Sequence, residues 1–315
     1  MTASPVELEN VTKRYGAFTA VKELSFAVGQ GEIYGFLGPN GAGKTTTLRM
    51  MLDIIRPSEG RISILGSSSA IPVRRRIGYL PEERGLYRKM RAADSIAYFA
   101  RLRGLSARDA KKKAYDLLER FGLAKFARNK NEALSKGMAQ KVQLLATIAH
   151  EPELLILDEP FSGLDPINQQ TLEALIDEQR REGRTIIFST HVMQHAERLC
   201  DRFLILAQGE KRFEGNITEA RAGYGSRLHV RSTSPREAFL ALPGVGAIHG
   251  LRSGGDENEY EIELAPNADP QMVLARAVAA GVKLTRFELA GATLHDIFVA
   301  LAGDGAPAQR PEAAE

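Results

Sequence analysis

Ile33-Tyr34-Gly35-Phe36-Leu37 runs straight into Gly38-Pro39-Asn40-Gly41-Ala42-Gly43-Lys44-Thr45-Thr46. No other stretch of the chain narrows its possible folds as much. The apolar run reads as a buried strand, and residues 38–45 fit G-x-x-x-x-G-K-[ST], a phosphate-binding loop. Glycine lets such a loop curl tightly and turn its backbone N–H groups inward. With the positive end of the helix that starts near Lys44, these groups form a concave anion site. Lys44 can reach the β- and γ-phosphates of a nucleotide, and Thr45 offers a hydroxyl to Mg²⁺. A glycine-rich turn that binds nothing does not need the full pattern between a strand and a helix.

The chain has 315 residues, enough for about two domains and a substantial core. Its 43% hydrophobic and 26% charged residues suit a globular protein. No apolar run reaches the ~18 residues of a membrane helix. Met1 to Asn10 lacks the basic start and apolar stretch of a signal peptide. The expected location is the cytoplasm, with any membrane role supplied through a partner. Net charge is +3, and the basic runs at 74–76 and 111–113 read as solvated faces, so no specific nucleic-acid partner is expected. Cys200 is the only cysteine, which excludes an intramolecular disulfide or a cysteine-rich metal site.

Alternation predicts strands at 6–11 and 24–28. A helix from Lys44 to about Ile55 is stopped by Pro57. Short strands follow at 61–65 and 76–80. From about 86 to 150 helical periodicity takes over, with Ala110, Ala114, Leu117, Leu118 and Phe121 on one face and Gly122 as a C-cap. Leu154 to Leu157 returns to the sheet, and four consecutive apolar residues suit a strand covered on both faces. A helix at 168–182, a strand at 184–189, a helix to about Cys200 and strands at 203–207 and 211–213 complete an α/β core with a largely parallel sheet. The glycine-rich stretch 222–226 reads as a linker. Beyond it, the order β-α-β-β-α-β-α suggests a small α+β sandwich of ferredoxin-like type. The expected domains are therefore 1–222, with a helical subdomain at about 86–150, then 223–302, and a disordered tail at 303–315.

A phosphate loop needs a metal site and a means to activate water. Asp158 ends the buried strand, where a carboxylate can hold Mg²⁺, and Glu159 can point toward the attacking water. Ser135 fits the N-cap of a helix whose exposed N–H groups favour an anion. Tyr15, before the turn residue Gly16, can lie against a flat ring.

In combination these features resemble the nucleotide-binding subunit of an ATP-binding cassette transporter. Residues 38–45 resemble its Walker A loop, and 154–159 its Walker B strand with Glu159 as catalytic base. Leu134-Ser135-Lys136-Gly137-Met138 resembles its signature, Ser162-Gly163-Leu164-Asp165 its D-loop, His191 its switch histidine, and Tyr15 the aromatic that stacks on adenine. The resemblance spans residues 6 to about 215. It implies a P-loop NTPase core, ATP and Mg²⁺ as ligands, and a head-to-tail dimer, either of two identical copies or pseudo-symmetric. Each ATP would lie between one copy's Walker A loop and the other's Ser135 and Gly137. A separate transmembrane permease is implied, which would hold the chain on the inner face of the cell membrane.

Two departures stand out. Lys136 and Met138 replace the usual Gly and Gln of the signature, which puts the ribose-side contact in question. Glu82, in Gly78-Tyr79-Leu80-Pro81-Glu82, stands where the family usually has a glutamine that holds water near Mg²⁺. Both, with residues 81–87 and the segment 293–298, resemble the branch that serves ABC-2 type exporters, such as sodium- and drug-efflux ATPases. A second class remains open, a soluble ABC ATPase acting on ribosomes or DNA. Such proteins usually carry two cassettes, coiled coils or zinc modules, and none is visible in this sequence.

Overall fold

The computed structural model describes residues 4–83, 85–222, 227–253, 257–265 and 268–302. The expected linker residues 223–226 and the expected tail lie outside them. The chain divides into two compact units, the first ending at Gly215 and the second beginning at Asn216.

In the first unit, β1 (Val6–Tyr15) and β2 (Phe18–Val28) pair as an antiparallel hairpin, longer than the alternating cores predict. β3 (Ile33–Leu37) leads into α1 (Lys44–Met51). This helix stops short of the expected Ile55 because Asp53 takes a left-handed backbone, φ 56°. The Asp53 carboxylate accepts from the Ala70 N–H at 2.9 Å, at the head of a helical turn that periodicity did not predict, α2 (Ala70–Val73). β4 (Glu59–Ile64) pairs with β1, giving a three-stranded sheet in the order β2-β1-β4.

β5 (Ile77–Leu80) precedes the helical insert of α3 (Ala92–Leu102), α4 (Ala107–Arg120) and α5 (Lys136–Ile148). Ser106 caps α4 by accepting from the Asp109 N–H, and the predicted stripe of Ala110, Ala114, Leu117 and Leu118 is buried. β6 (Leu154–Leu157), α6 (Pro166–Arg181), β7 (Thr185–Thr190), α7 (Met193–Leu199), β8 (Arg202–Ala207) and β9 (Glu210–Gly215) complete the unit. The main sheet has the order β5-β6-β7-β3-β8-β9, parallel except for the antiparallel edge strand β9.

Leu155 and Leu157 face a core shared with the helical insert, while Leu154 and Ile156 face the core under β1 and β2. This two-sided burial is why β6 reads as an unbroken apolar run. Each such side chain contributes about 1.5–3 kcal/mol on burial. The topology decides where chemistry can sit. β6, β7 and β3 are adjacent and parallel, so their carboxyl ends, and the loops that follow them, open on one edge of the sheet.

The second unit begins with α8 (Ile217–Ala222), which packs on α11 (Leu294–Ala302) and places Arg221 Nε 2.9 Å from the Ala292 carbonyl. The unit break therefore falls at 215/216, ahead of the expected 222/223, because α8 packs with the C-terminal elements. The other elements are β10 (Arg227–Ser232), α9 (Arg236–Leu240), β11 (Val245–Ser253), β12 (Asn258–Leu264), α10 (Pro270–Ala279) and β13 (Leu284–Ala290). The sheet order β11-β12-β10-β13, antiparallel throughout, is that of a ferredoxin-like sandwich. Leu228, Val230, Ile262, Phe239 and Val273 form its core.

Candidate functional site

The loop after β3 is held by close backbone approaches. Gly38 has φ 156°, and a Cβ there would come within 2.4 Å of the Leu206 carbonyl oxygen. At Gly43, φ 104°, a Cβ would lie 2.7 Å from the Ala20 oxygen. Only glycine fits either place. Gly43 is also the N-cap of α1 and brings no side-chain cap, so the first-turn N–H groups remain available to an anion. Pro39, Asn40 and Gly41 are exposed, Ala42 is buried beneath them, and Thr46 is half-buried in the first helical turn.

Lys44 is only 6% exposed. Its Nζ donates to the carbonyls of Gly38 at 2.7 Å and Pro39 at 3.2 Å. It lies 3.4 Å from Glu159 Oε1, an ion-pair distance, although that oxygen has no hydrogen-bond partner. Thr45 Oγ1 lies 3.3 Å from Asp158 Oδ1. His191, just past the end of β7, places Nδ1 3.0 Å from Glu159 Oε2. A carboxylate only accepts, so Nδ1 of His191 is the donor. Loops after three adjacent parallel strands thus bring Lys44, Thr45, Asp158, Glu159 and His191 together.

One functional neighbour was not legible in the sequence. Ser189, fully buried in β7, donates to Asp158 Oδ1 at 2.6 Å and accepts from the Glu159 N–H at 2.9 Å. It holds the Asp158 carboxylate and the Glu159 backbone from the strand between β6 and β3. Its sequence signal is a hydroxyl directly after the apolar run Ile186-Ile187-Phe188. Glu159 itself has φ 46°, a left-handed conformation uncommon for a side-chain-bearing residue. Gln140 donates to the Pro160 carbonyl at 3.1 Å and Gln143 to the Glu83 carbonyl at 3.3 Å, which tie α5 to the loops after β6 and β5.

Other predicted residues have different neighbours. Ser135 caps α5, accepting from the Met138 N–H at 3.3 Å. Gly137 lies against Asn168 on α6, where a Cβ would come within 2.5 Å of Asn168 Nδ2. The exposed Lys136 reaches over Gly163. Tyr15 is half exposed at the hairpin end, with Lys13 Nζ 5.0 Å from its ring centre. Glu82 is exposed in the loop after β5. Burial raises the Tyr79 phenol, and the charges of Asp158 and Glu82 add to the rise.

The donor set fits a hard cation. Thr45 and Asp158 supply a hydroxyl and a carboxylate oxygen side by side, the protein share that Mg²⁺ takes when phosphates and water complete its shell. No group of three His, Cys, Asp or Glu residues able to hold a metal occurs among the described residues.

The ABC transporter family model matches residues 21–162, and that of the DrrA1-3-like ATP-binding protein C-terminal domain matches 215–302. The ABC transporter ATP-binding protein YhaQ of Bacillus subtilis is 37% identical over 297 residues, covering 94% of this chain and 98% of YhaQ. This chain belongs to the ATP-binding cassette transporter family. It is an ATP-binding subunit and an ATPase, with the DrrA-like domain at its C-terminal end. A Burkholderia orbicola relative, Nod factor export ATP-binding protein I, is 40% identical over 218 residues, covering 68% of this chain and 72% of that protein. A solved ATP-binding subunit of an ABC transporter matches with TM-score 0.65 and 33% identity, over 70% of this chain and 93% of that one. ABC subunits of this kind dimerise and work with a membrane permease. No helix among the described residues is long and apolar enough to cross a membrane.

Proposed function

We propose that this ABC subunit drives export through a separate permease, by closing on ATP as a head-to-tail dimer and reopening after hydrolysis. The observation that carries the reading is the Lys44–Glu159–His191 contact beside Thr45 and Asp158, at the ends of three adjacent parallel strands. Export and an inner-face location rest on likeness to the relatives. The Nod factor export protein is one such relative.

Tyr15 stacks on the adenine, and residues 38–46 wrap the phosphates with backbone N–H groups. Lys44 leaves Glu159 for the β- and γ-phosphates, since a multiply charged anion competes strongly for one ammonium. Glu159 then takes the proton of the attacking water, and His191 holds the Glu159 carboxylate and the γ-phosphate in register. Thr45 and Asp158, joined by Glu82, would hold magnesium, which would supply charge neutralisation at the phosphates. A second copy contributes Ser135 and Gly137 against the γ-phosphate. Charge-assisted hydrogen bonds of about 1.5–3 kcal/mol each suffice to make closure depend on that phosphate.

The test is Glu159→Gln. The variant should bind ATP, lose about 10²–10⁴ in hydrolysis rate, and elute as a dimer on sizing in Mg-ATP. A monomer under those conditions would defeat the sandwich. Co-purification of the full chain with ribosomes or DNA, and with no membrane protein, would favour the soluble class instead.

A further inference from the structure

Three segments that carry site residues converge on one imidazole that takes no part in the proposed hydrolysis. His195 lies in the first turn of α7, which begins directly after His191 and Val192, and its side chain is 2% exposed. One face lies flat on Phe161, with ring centroids 4.1 Å apart and planes 17° from parallel. Phe161 is two residues beyond Glu159 and meets Phe188 of β7 edge-on, at 5.8 Å and 85°. His195 Nδ1 is 2.8 Å from Glu173 Oε1, and a carboxylate only accepts, so Nδ1 donates. Glu173 belongs to α6, the helix that Asp165 caps, and the same oxygen takes Arg198 Nη2 at 2.8 Å.

The segment after Glu159, the helix after His191 and the helix after Asp165 are therefore pinned to one another by a stack and a buried hydrogen bond. Few side chains do both. A phenyl ring keeps the stack and gives up the bond. A carboxamide keeps the bond and gives up the flat aromatic face. Either loss leaves a short helix, α7, free to shift relative to the loop that carries Glu159, and the 3.0 Å contact between His191 Nδ1 and Glu159 Oε2 spans that gap.

We propose that His195 is a positioning residue for hydrolysis, fixing the His191–Glu159 contact through its stack on Phe161 and its bond to Glu173. The inference rests on the assignment of Glu159 and His191 to the reaction.

The experiment measures kcat and KM for Mg-ATP on the full-length chain carrying His195→Phe, His195→Gln or Glu173→Leu, the last of which removes the acceptor of the His195 bond. Each is also made in a His191→Ala background, and folding is checked by circular dichroism. The expected result is a kcat lowered about 10- to 100-fold, the scale of a misplacement near 1 Å, with KM unchanged because the phosphate loop is untouched. In the His191→Ala background the same substitutions should add nothing further. Two histidine variants are used because one of them can fail to fold. A folded variant with native kcat, a rise in KM alone, or losses that simply add to that of His191→Ala would each overturn the proposal. If His191→Ala and Glu159→Gln alone leave kcat unchanged, the underlying assignment falls, whatever the His195 variants do.

Discussion

Helices α1 and α5 both begin beside residues expected to meet phosphate, yet the two starts are built differently. α1 opens on a glycine with no side-chain cap, and the buried Lys44 and Glu159 lie around it. α5 opens on Ser135, whose hydroxyl already caps the helix, with Ser135 and Lys136 exposed and Gly137 against Asn168. The first start is walled by its own chain and keeps its orphan N–H groups for an anion. The second has a satisfied cap and an open outer side, as a surface does that meets its ligand from one direction. The two starts thus differ in how much of their surroundings their own chain supplies, as the proposed split of their roles between two copies requires.

Substitutions at the two starts should separate these roles. Lys44→Ala should cost the most, about 10³-fold in hydrolysis, because it removes the buried ammonium proposed to meet the phosphates. It should also weaken binding of ATP to a single copy, read by fluorescent-nucleotide titration. Gly137→Val places a branched side chain where Asn168 is held to Asp165. Hydrolysis should fall about 10²-fold, while ATP affinity measured at dilutions where the chain is monomeric stays native. A loss of monomer affinity there would erase the distinction between the two helix starts.

A smaller change is expected at Tyr15→Ala. Base–aromatic stacking of about 1–3 kcal/mol predicts ATP binding weakened roughly tenfold, with kcat at saturation intact. The smallest effect is at the far end of α5, where burial pushes His150 down to about 4 from 6.5. Its ring is neutral in the fold and charged first in the unfolded chain. The stability it supports is whole above pH 6.5 and is lost as pH falls toward 4. Urea midpoints of His150→Phe should therefore fall less steeply than native between those values, with ATP turnover at pH 7.5 little changed.

Much of this arrangement could be read before any coordinates. The apolar runs ending in Gly38 and in Asp158 placed the phosphate loop and the acids at the ends of strands, and the α4 stripe announced the helical insert. α2 and α8 escaped because helices of one or two turns hold too few residues to show a period. The early start of the second unit followed from α8, whose partner α11 lies far along the chain. Ser189 was invisible for a different reason. Its value comes from β7 lying between β6 and β3, and strand order is not written in any local pattern. The closeness of Lys44 to Glu159 and the stack of His195 on Phe161 are likewise products of tertiary geometry.

Glu159 carries one more implication. A residue with a Cβ pays about 1–2 kcal/mol to sit in the left-handed region, and glycine or asparagine pays far less. Replacement by either relaxes the backbone while deleting the carboxylate beside Lys44 and His191. With Glu159 as the proposed base, selection for thermal tolerance alone would thus drift toward catalytically silent descendants, and a library screened only for robustness would enrich the wrong winners at this position.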